Sequence, residues 1–270
     1  MSTPKEIELF DAEFAMIQKL VFANAGITLD DTKKSLVKNR LSKRLKFYGL
    51  AKYSDYIRVV QFNANEATEM VNLITTNETY FFRETAHFDF LKKFSSEQNS
   101  SKYIRVWSAA ASLGAEAYSI AMVLDSIVGA SRFDILGTDI NTEVLNVARR
   151  GRYPISFADK IEMQYKQAYC LKGKNQFENQ LLIDPELQKK VTFQQANLLE
   201  NQANLGKFDL IFLRNVLIYF NDEVKKIVVE NVIKNLNPGG YLIISLTENL
   251  RNVKVDSLQQ VSTSIFQKVD

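Results

Sequence analysis

The chain has 270 residues, of which 46% are hydrophobic and 24% charged, enough for one large folded domain or two modest ones. Its single cysteine excludes an internal disulfide framework, and its single histidine, His87, excludes a metal site with several imidazole ligands. The net charge of +3 is too small to indicate nucleic-acid binding, and neither a secretory signal nor an apolar run of ~20 residues is present. We therefore expect a cytoplasmic protein that holds no metal and does not insert into a membrane.

Residues 1–95 are predicted to form a helical domain, because apolar residues recur at three- and four-residue spacing and no strand pattern precedes residue 100. The first helix ends at Gly26, and the second runs from an Asp30 or Asp31 cap to Gly49. A third helix begins near Ser54, and a fourth covers residues 66–74. The second helix combines an apolar stripe with basic residues on its other faces: Lys33, Lys34, Arg40, Lys43, Arg44 and Lys46.

Residues 96–270 show alternating strand and helix patterns. Five short apolar runs are separated by segments of helical length: YIRVWSA, FDILGTDI, KVTFQQAN, FDLIFLRN and GGYLIISL. This alternation favours a parallel sheet with helices on both faces, which binds ligands beyond the carboxyl ends of its strands. Residues 152–190 interrupt the alternation and are predicted to form a small β-hairpin insertion.

The turn after the first predicted strand consists of small residues up to Gly114, with Glu116 close behind. A G-x-G-x-x-G motif is absent, so the turn is not expected to hold a pyrophosphate. S-adenosylmethionine has no phosphate, and Glu116 could pair with its ammonium group. Tight packing between strand and helix explains the same small residues, and this segment alone favours that interpretation.

Two further strand ends carry polar residues. Asp139 could accept hydrogen bonds from ribose hydroxyls or cap the helix that begins at Asn141, and the residues alone do not separate these hypotheses. Arg214 and Asn215 directly follow a buried run, which indicates a ligand site or a buried ion pair, whereas Tyr219 in isolation suits the core. Residues 75–84 have little periodicity: the aromatic residues suit packing and Arg83 suits an exposed charge.

Taken together, several segments resemble the chemotaxis receptor methyltransferases, the CheR family, over nearly the whole chain: NETYFFRE, VWSAAASLGAEAYSIAM, TDINTEVLNVARRGRY, QANLL, FDLIFLRNVLIYF and NPGGYL. The resemblance implies a Rossmann-like S-adenosylmethionine-dependent methyltransferase domain with a small β-hairpin insertion, preceded by an all-helical N-terminal domain. The implied reaction methylates glutamate side chains in the cytoplasmic domain of chemotaxis receptors and leaves S-adenosylhomocysteine. In some members of this family the hairpin docks a peptide at the receptor's C-terminus.

The resemblance also implies roles for particular residues. Arg83 and Tyr219 would flank the methyl-transfer point, and the basic face of the second helix would contact the receptor through Arg40, Lys43, Arg44 and Lys46. The residues expected around S-adenosylmethionine are Asn77, Thr79, Arg83, Glu116, Asp139, Asn197, Leu198, Arg214 and Asn215. Two motifs depart from the family pattern: GAEAYS replaces G-E-E-P-Y-S, and SLTE replaces G-H-S-E.

A glutamate side chain is already ionised at neutral pH, so its methylation requires no general base, which fits a chain with one histidine. Arg83 is the candidate for orienting that carboxylate. We weigh three alternatives: a methyltransferase of this fold with another substrate, a degenerate relative that binds S-adenosylmethionine or a receptor without turnover, and, last, a nucleic-acid binder. The expected partner is the receptor's cytoplasmic domain, without nucleic acid, and the expected state is a monomer.

Overall fold

The computed structural model describes residues 7–269, which form two compact units. The first comprises Met1–Thr76, of which residues 7–76 are described, together with Tyr219–Val224; the second comprises Asn77–Ile218 and Lys225–Asp270. Residues 1–6 of the predicted helical domain lie outside the described residues. Within residues 7–269, no helix is both long enough and apolar enough to span a bilayer.

The first unit is helical. Its helices α1 and α2 end at Gly26 and Gly49, whose φ angles of 69° and 64° are left-handed and suit glycine. Asp30 caps the turn before α2 by accepting a hydrogen bond from the Thr32 amide. These ends and this cap confirm the sequence prediction. The helices are α1 (Asp11–Ala25), α2 (Lys34–Tyr48), α3 (Tyr53–Phe62) and α4 (Ala64–Ile74).

The second unit is an α/β structure. Its helices are α5 (Thr85–Ser96), α6 (Ala115–Val128), α7 (Thr142–Arg150), α8 (Met163–Tyr169) and α9 (Pro185–Gln188), and α10 (Asp222–Ile233) crosses the change of unit at Val224. Its strands are β1 (Ile104–Ala109), β2 (Phe133–Asp139), β3 (Arg152–Pro154), β4 (Cys170–Lys172), β5 (Gln180–Ile183), β6 (Val191–Gln195), β7 (Phe208–Leu213), β8 (Leu236–Ile244), β9 (Leu258–Ser262) and β10 (Ile265–Lys268).

In the described part of the chain, the main sheet has the order β6-β2-β1-β7-β8-β10-β9. The pairs from β6 through β8 are parallel, while β10 runs antiparallel to both β8 and β9. The five predicted runs coincide with β1, β2, β6, β7 and β8, so the Rossmann-like α/β fold class is confirmed. The β9–β10 hairpin was not predicted: β9 is a largely exposed edge strand without a clear apolar face.

The insertion, residues 152–190, contains a separate antiparallel sheet with the order β3-β5-β4. The predicted hairpin corresponds to β4 and β5, and β3 adds a strand that the sequence pattern did not reveal. Buried side chains on β3 and β5, including Tyr153 and Leu181, join the core of the second unit.

Helix α5 packs with the sheet of the second unit. Its Phe88 and Leu91 are buried in the core of the second unit, which begins at Asn77. The sequence-based boundary at residue 95 therefore differs from the division of the structure. Helical periodicity shows which face of a helix is buried, but it does not show which core covers that face.

Candidate cofactor and active site

The carboxyl edge of the sheet, defined as residues 110–114, 139–141 and 214–215, follows three neighbouring strands, because β1 pairs with both β2 and β7. Five of the described non-glycine residues with positive φ lie at this edge or in residues 77–84. Left-handed backbone costs such residues about 1–3 kcal/mol each, and this strain is typical of functional sites. The residues are Phe82, Glu84, Ala110, Ser112 and Asn215, with φ between 50° and 71°.

The turn after β1 is shaped by packing and by a link to β2. A Cβ atom on Gly114, where φ is 85°, would lie 2.8 Å from the Ala148 Cβ and 2.9 Å from the Phe193 ring. Close packing therefore explains this glycine. The Ser112 amide donates to the Asp139 carboxylate at 2.8 Å, which joins the turn to the end of β2.

Asp139 is 8% exposed, and its two carboxylate oxygens accept hydrogen bonds from the amides of Ser112 and Asn141. The cap of α7 is Asn141, whose side chain accepts from the Glu143 and Val144 amides, so the helix-cap hypothesis for Asp139 is wrong. Burial raises the pKa of Asp139, and the backbone hydrogen bonds oppose that rise. Each carboxylate oxygen keeps a second lone pair, so Asp139 can still accept two hydroxyl hydrogens.

Arg214 is paired with two carboxylates. Its side chain is 1% exposed, and its guanidinium lies 2.7 Å from Glu116 Oε2 and 3.2 Å from Glu84 Oε2. Glu116 is also fixed by the Ser108 hydroxyl at 2.7 Å. One guanidinium between two carboxylates leaves a net negative charge at the carboxyl edge. The Nε of Arg214 has no acceptor among the described residues, so one buried donor is left over.

Glu84 makes several contacts at this edge, which its position in the sequence did not predict. Its carboxylate accepts from the Leu246 amide at 2.9 Å and from the Ser245 hydroxyl at 2.7 Å. Burial alone would raise its pKa, but these hydrogen bonds and Arg214 outweigh burial and lower the pKa of Glu84 to about 2. The available signal was an acidic residue directly after Arg83 in a segment that is otherwise aromatic.

Glu248 holds the turn after β7. It is 8% exposed and accepts from the backbone amides of Asn215, Ser245 and Ile218 at 3.1, 2.9 and 3.3 Å. Burial raises its pKa, while these hydrogen bonds oppose the rise. Ser245, which departs from the family pattern, accepts from the Asn215 amide group at 2.8 Å in addition to donating to Glu84. The SLTE departure therefore adds contacts to the edge.

Both ends of the 77–84 segment are hydrogen-bonded to the carboxyl edge. Near its start, the Asn77 carbonyl accepts from the Ser112 hydroxyl at 2.9 Å. Near its end, the Arg83 carbonyl accepts from Arg214. The Arg83 guanidinium is half-buried, donates to the Glu78 carbonyl at 3.2 Å and lies 5.7 Å from the centre of the Tyr80 ring. Thr79 is half-buried within the same segment.

Asn197 and Leu198 lie beside Asp139. They follow β6, which pairs with β2, and the amide of Ala196 donates to the Asp139 carbonyl at 3.1 Å. The Asn197 side chain accepts from the Leu199 amide at 3.1 Å, and Leu198 is 8% exposed. The second unit therefore contains all nine residues expected around S-adenosylmethionine, which lie in the 77–84 segment, at the start of α6, and at or after the ends of β2, β6 and β7: Asn77, Thr79, Arg83, Glu116, Asp139, Asn197, Leu198, Arg214 and Asn215.

Comparison with known proteins divides the chain at the same boundary, near residue 76. The family model for the all-alpha domain of CheR methyltransferases matches residues 12–75, and the model for their SAM binding domain matches residues 77–266. The chain belongs to the CheR methyltransferase family. As a member, it is an S-adenosylmethionine-dependent methyltransferase.

Relatives of similar length support this membership. The chemotaxis protein methyltransferase of Salmonella typhimurium is 38% identical over 254 residues, which cover 92% of this chain and 88% of that protein. The Escherichia coli protein of the same name is 37% identical over 255 residues, with 93% and 88% covered. That of Borreliella burgdorferi is 35% identical over 279 residues, with 97% and 96% covered.

Two of the basic residues on α2 that were expected to contact a receptor instead make contacts inside the helical unit. Arg40 donates to the carbonyls of Leu73, Ile74 and Thr75 at the end of α4, at 3.2, 2.6 and 2.9 Å. Arg44 forms an ion pair with Glu66, which is 2% exposed. Lys43 and Lys46 are exposed. Two of the four residues expected to contact a receptor are therefore occupied within their own unit.

Two remaining residues of this CheR chain are placed as follows. Tyr219 is half-buried at the end of a 3-10 turn, belongs to the first unit, and accepts from the Thr28 amide through its carbonyl at 2.9 Å. His87 is 1% exposed, and its Nε2 lies 2.7 Å from the Ser264 hydroxyl. Burial and the charge of Arg214 lower the pKa of His87 to about 4, so the imidazole is neutral at physiological pH.

Proposed function

We propose that the protein transfers the methyl group of S-adenosylmethionine to glutamate side chains in the cytoplasmic domain of chemotaxis receptors, as a cytoplasmic monomer. One observation carries this proposal: Arg214 pairs with Glu116 on the cofactor side and donates to the carbonyl of Arg83 on the acceptor side. The guanidinium that fixes Glu116, the proposed partner of the cofactor's ammonium group, is thus bonded to the residue that would orient the acceptor.

The carboxyl edge fits S-adenosylmethionine by charge and by hydrogen bonding. The cofactor carries one more positive than negative group, which suits the net negative charge of Arg214 with its two carboxylates. We assign Glu116 to the ammonium group, Asp139 to the ribose hydroxyls, and Asn197 with Leu198 to the base. Asn77, Thr79, Arg214 and Asn215 would complete the binding residues. The sulfonium of S-adenosylmethionine supplies an electrophilic methyl group when it is bound.

The protein's task in the reaction is to orient the acceptor and exclude water. A glutamate carboxylate is ionised at neutral pH, so no residue has to remove a proton. Arg83 can present two parallel N–H donors to that carboxylate and hold one oxygen in line for displacement, about 3 Å from the methyl group. Tyr219, four residues after Asn215 in the sequence, is the second proposed catalytic residue.

The exposed lysines of α2 support a role in receptor binding. Lys43 and Lys46 are one helical turn apart and are free of the internal contacts that occupy Arg40 and Arg44. Exposed lysines attract acidic surfaces at long range and speed association more than they add affinity. We therefore narrow the proposed receptor-contacting residues to Lys43 and Lys46, and assign structural roles to Arg40 and Arg44.

The test is incubation of the protein with labelled S-adenosylmethionine and membranes that contain chemotaxis receptors, followed by assay of base-labile methyl ester. We expect label on the receptor band. A folded protein that binds S-adenosylmethionine but leaves the receptors unlabelled would favour the degenerate relative that binds without turnover. Transfer to another protein or to a small acid would keep the enzyme class and replace the substrate.

A further inference from the structure

The insertion contacts the 77–84 segment through a series of aromatic rings. The Phe82 ring stacks on the Tyr165 ring of α8, with 5.0 Å between centres and 19° between planes. Tyr165 lies 6.3 Å from Tyr169, whose hydroxyl donates to Asp125 on α6 at 2.9 Å. Phe82 and Tyr165 are 7% and 4% exposed. The series therefore joins α6 and the insertion to the residue that precedes Arg83.

Strand β3 of the insertion makes a second connection. The Tyr153 ring meets the Phe81 ring edge to face at 5.2 Å, and the Tyr153 hydroxyl donates to the Leu113 carbonyl at 2.7 Å. Leu113 belongs to the turn after β1, at the carboxyl edge. Tyr153 is 2% exposed, so both contacts are inside the core. Tyr153 of the insertion thus contacts both the turn after β1 and the 77–84 segment.

The backbone of Phe82 depends on these contacts. Its φ of 55° is unfavourable for a bulky residue, and such a conformation persists only where the surroundings hold it. The Phe82 amide donates to the buried Ser119 hydroxyl at 3.0 Å, and its ring also packs on Phe88 at 5.1 Å. Without the Tyr165 ring, one of the contacts that offset the strain is lost. Relaxation of φ at Phe82 would then move its neighbour, Arg83.

We propose that Tyr165 is a positioning residue for methyl transfer: by stacking on Phe82, it holds Arg83 in the geometry that orients the acceptor carboxylate. The insertion is then part of the active-site structure in addition to any role in binding a receptor. This inference depends on the proposed function of Arg83. Tyr165 acts through Phe82 and touches neither the cofactor nor the acceptor.

The test compares Tyr165→Leu, which removes the ring, with Tyr165→Phe, which keeps it. Phe177→Leu is the control, because it removes a ring from the insertion whose contact is the Arg152 guanidinium and not Tyr165 or Phe82. We expect kcat for receptor methylation to fall about tenfold in Tyr165→Leu, since small displacements of a catalytic group are costly. KM for S-adenosylmethionine should stay within about twofold, and Tyr165→Phe should restore kcat.

Hydrogen exchange supplies a readout that does not require methylation. The backbone amides of residues 77–84 should exchange about tenfold faster in Tyr165→Leu than in the wild type or Tyr165→Phe. Unchanged exchange in this segment would overturn the inference, as would an equal loss of kcat in Phe177→Leu. If wild-type protein leaves receptor membranes unlabelled, the proposed function fails, while the exchange rates still decide whether Tyr165 holds the segment.

Discussion

Arg44 and Glu66 form a bidentate ion pair inside the helical unit, with Arg44 Nε donating to Glu66 Oε1 at 2.8 Å. The hydroxyls of Tyr48 and Tyr56 donate to the same carboxylate at 2.9 and 2.8 Å. Glu66 is 2% exposed, so its charge depends on these partners. Although burial raises the pKa of Glu66, the hydrogen bonds from Arg44 and the two tyrosines outweigh it and lower that pKa.

The first prediction follows from this pair. Arg44→Ala leaves a buried carboxylate without its cation, and we expect the free energy of unfolding to fall by about 2–4 kcal/mol. The matched control is Lys43→Ala, an exposed neighbour whose loss should change stability by less than about 0.5 kcal/mol. Urea denaturation of both variants checks this. Equal stability of the two variants would contradict the structural role of Arg44 and make it a candidate for receptor contact again.

The second prediction concerns receptor binding. Replacement of both Lys43 and Lys46 by glutamate should raise KM for receptor membranes about three- to tenfold, most strongly at low salt, and leave KM for S-adenosylmethionine unchanged. The control is the double variant Lys19→Glu with Lys52→Glu, which makes the same charge change at other exposed positions of the helical unit. If both double variants raise KM alike, only the net charge matters and α2 has no particular role.

The third prediction tests the ribose contact. Asp139→Ala should raise the dissociation constant of S-adenosylmethionine at least about tenfold, because a hydrogen bond to a charged group contributes ~1.5–3 kcal/mol. Calorimetric titration measures this directly. Asp134→Ala, at the opposite end of β2, is the control and should bind the cofactor normally. An unchanged dissociation constant in Asp139→Ala would mean that Asp139 only links the turn after β1 to the end of β2 and does not bind the ribose.

The fourth prediction tests the orienting role of Arg83. Arg83→Lys keeps the charge but cannot present two parallel donors, so kcat and kcat/KM for the receptor should fall together by about tenfold or more. Thermal stability should be unaffected, as for the exposed control Arg150→Lys. A rise in KM for S-adenosylmethionine alone would make Arg83 a cofactor residue without an orienting role.

The fifth prediction concerns pH. Burial, and secondarily Arg214, depresses the pKa of His87 from 6.5 to about 4, so between these values the unfolded chain binds a proton that the folded protein does not. Stability should therefore rise with pH across this window and be lost as pH falls from 6.5 towards 4, with a slope of up to about 1.4 kcal/mol per unit.

Since His87 is the only histidine, His87→Gln isolates its contribution. The variant should show a shallower dependence of the free energy of unfolding on pH between 6.5 and 4.5. Below pH 4.5, the depressed pKa of Glu84 should add a further loss of stability in both proteins. A parallel pH dependence in the two proteins down to pH 4.5 would show that folding does not lower the pKa of His87.

Local sequence signals predicted local structure well. The glycine stops at Gly26 and Gly49, the cap at Asp30 and the five strands of the parallel part of the sheet depend on neighbours in the chain, and the structure has them. Polar residues directly after strands also located the carboxyl edge. Contacts between residues far apart in the sequence could not be predicted. Glu84 bonds to Ser245, which is 161 residues away, and nothing near either residue indicates the other.

The same limit explains why the internal contacts of Arg40 and Arg44 on α2 were not predicted. Helical spacing shows which side chains are polar, but Arg44 and Glu66 are 22 residues apart and Arg40 reaches carbonyls 33–35 residues away. A charged residue on a helix is usually solvated, and only the position of α4 reveals that these two are not. Packing was the correct explanation of Gly114, since a Cβ there would meet Ala148 on α7 and Phe193 on β6.

The contacts of α2 with α4 determine which segment of the helical unit can be exchanged to test the proposed receptor contact. Arg40 covers the last carbonyls of α4, and Arg44 neutralises the carboxylate that α4 buries. A chimera that replaces α2 alone with a helix that has no basic residue at position 44 would separate these partners and leave Glu66 without a cation. Transplanting residues 34–74 as one cassette keeps both connections, so the helix pair, and not the single basic helix, is the unit that can be exchanged.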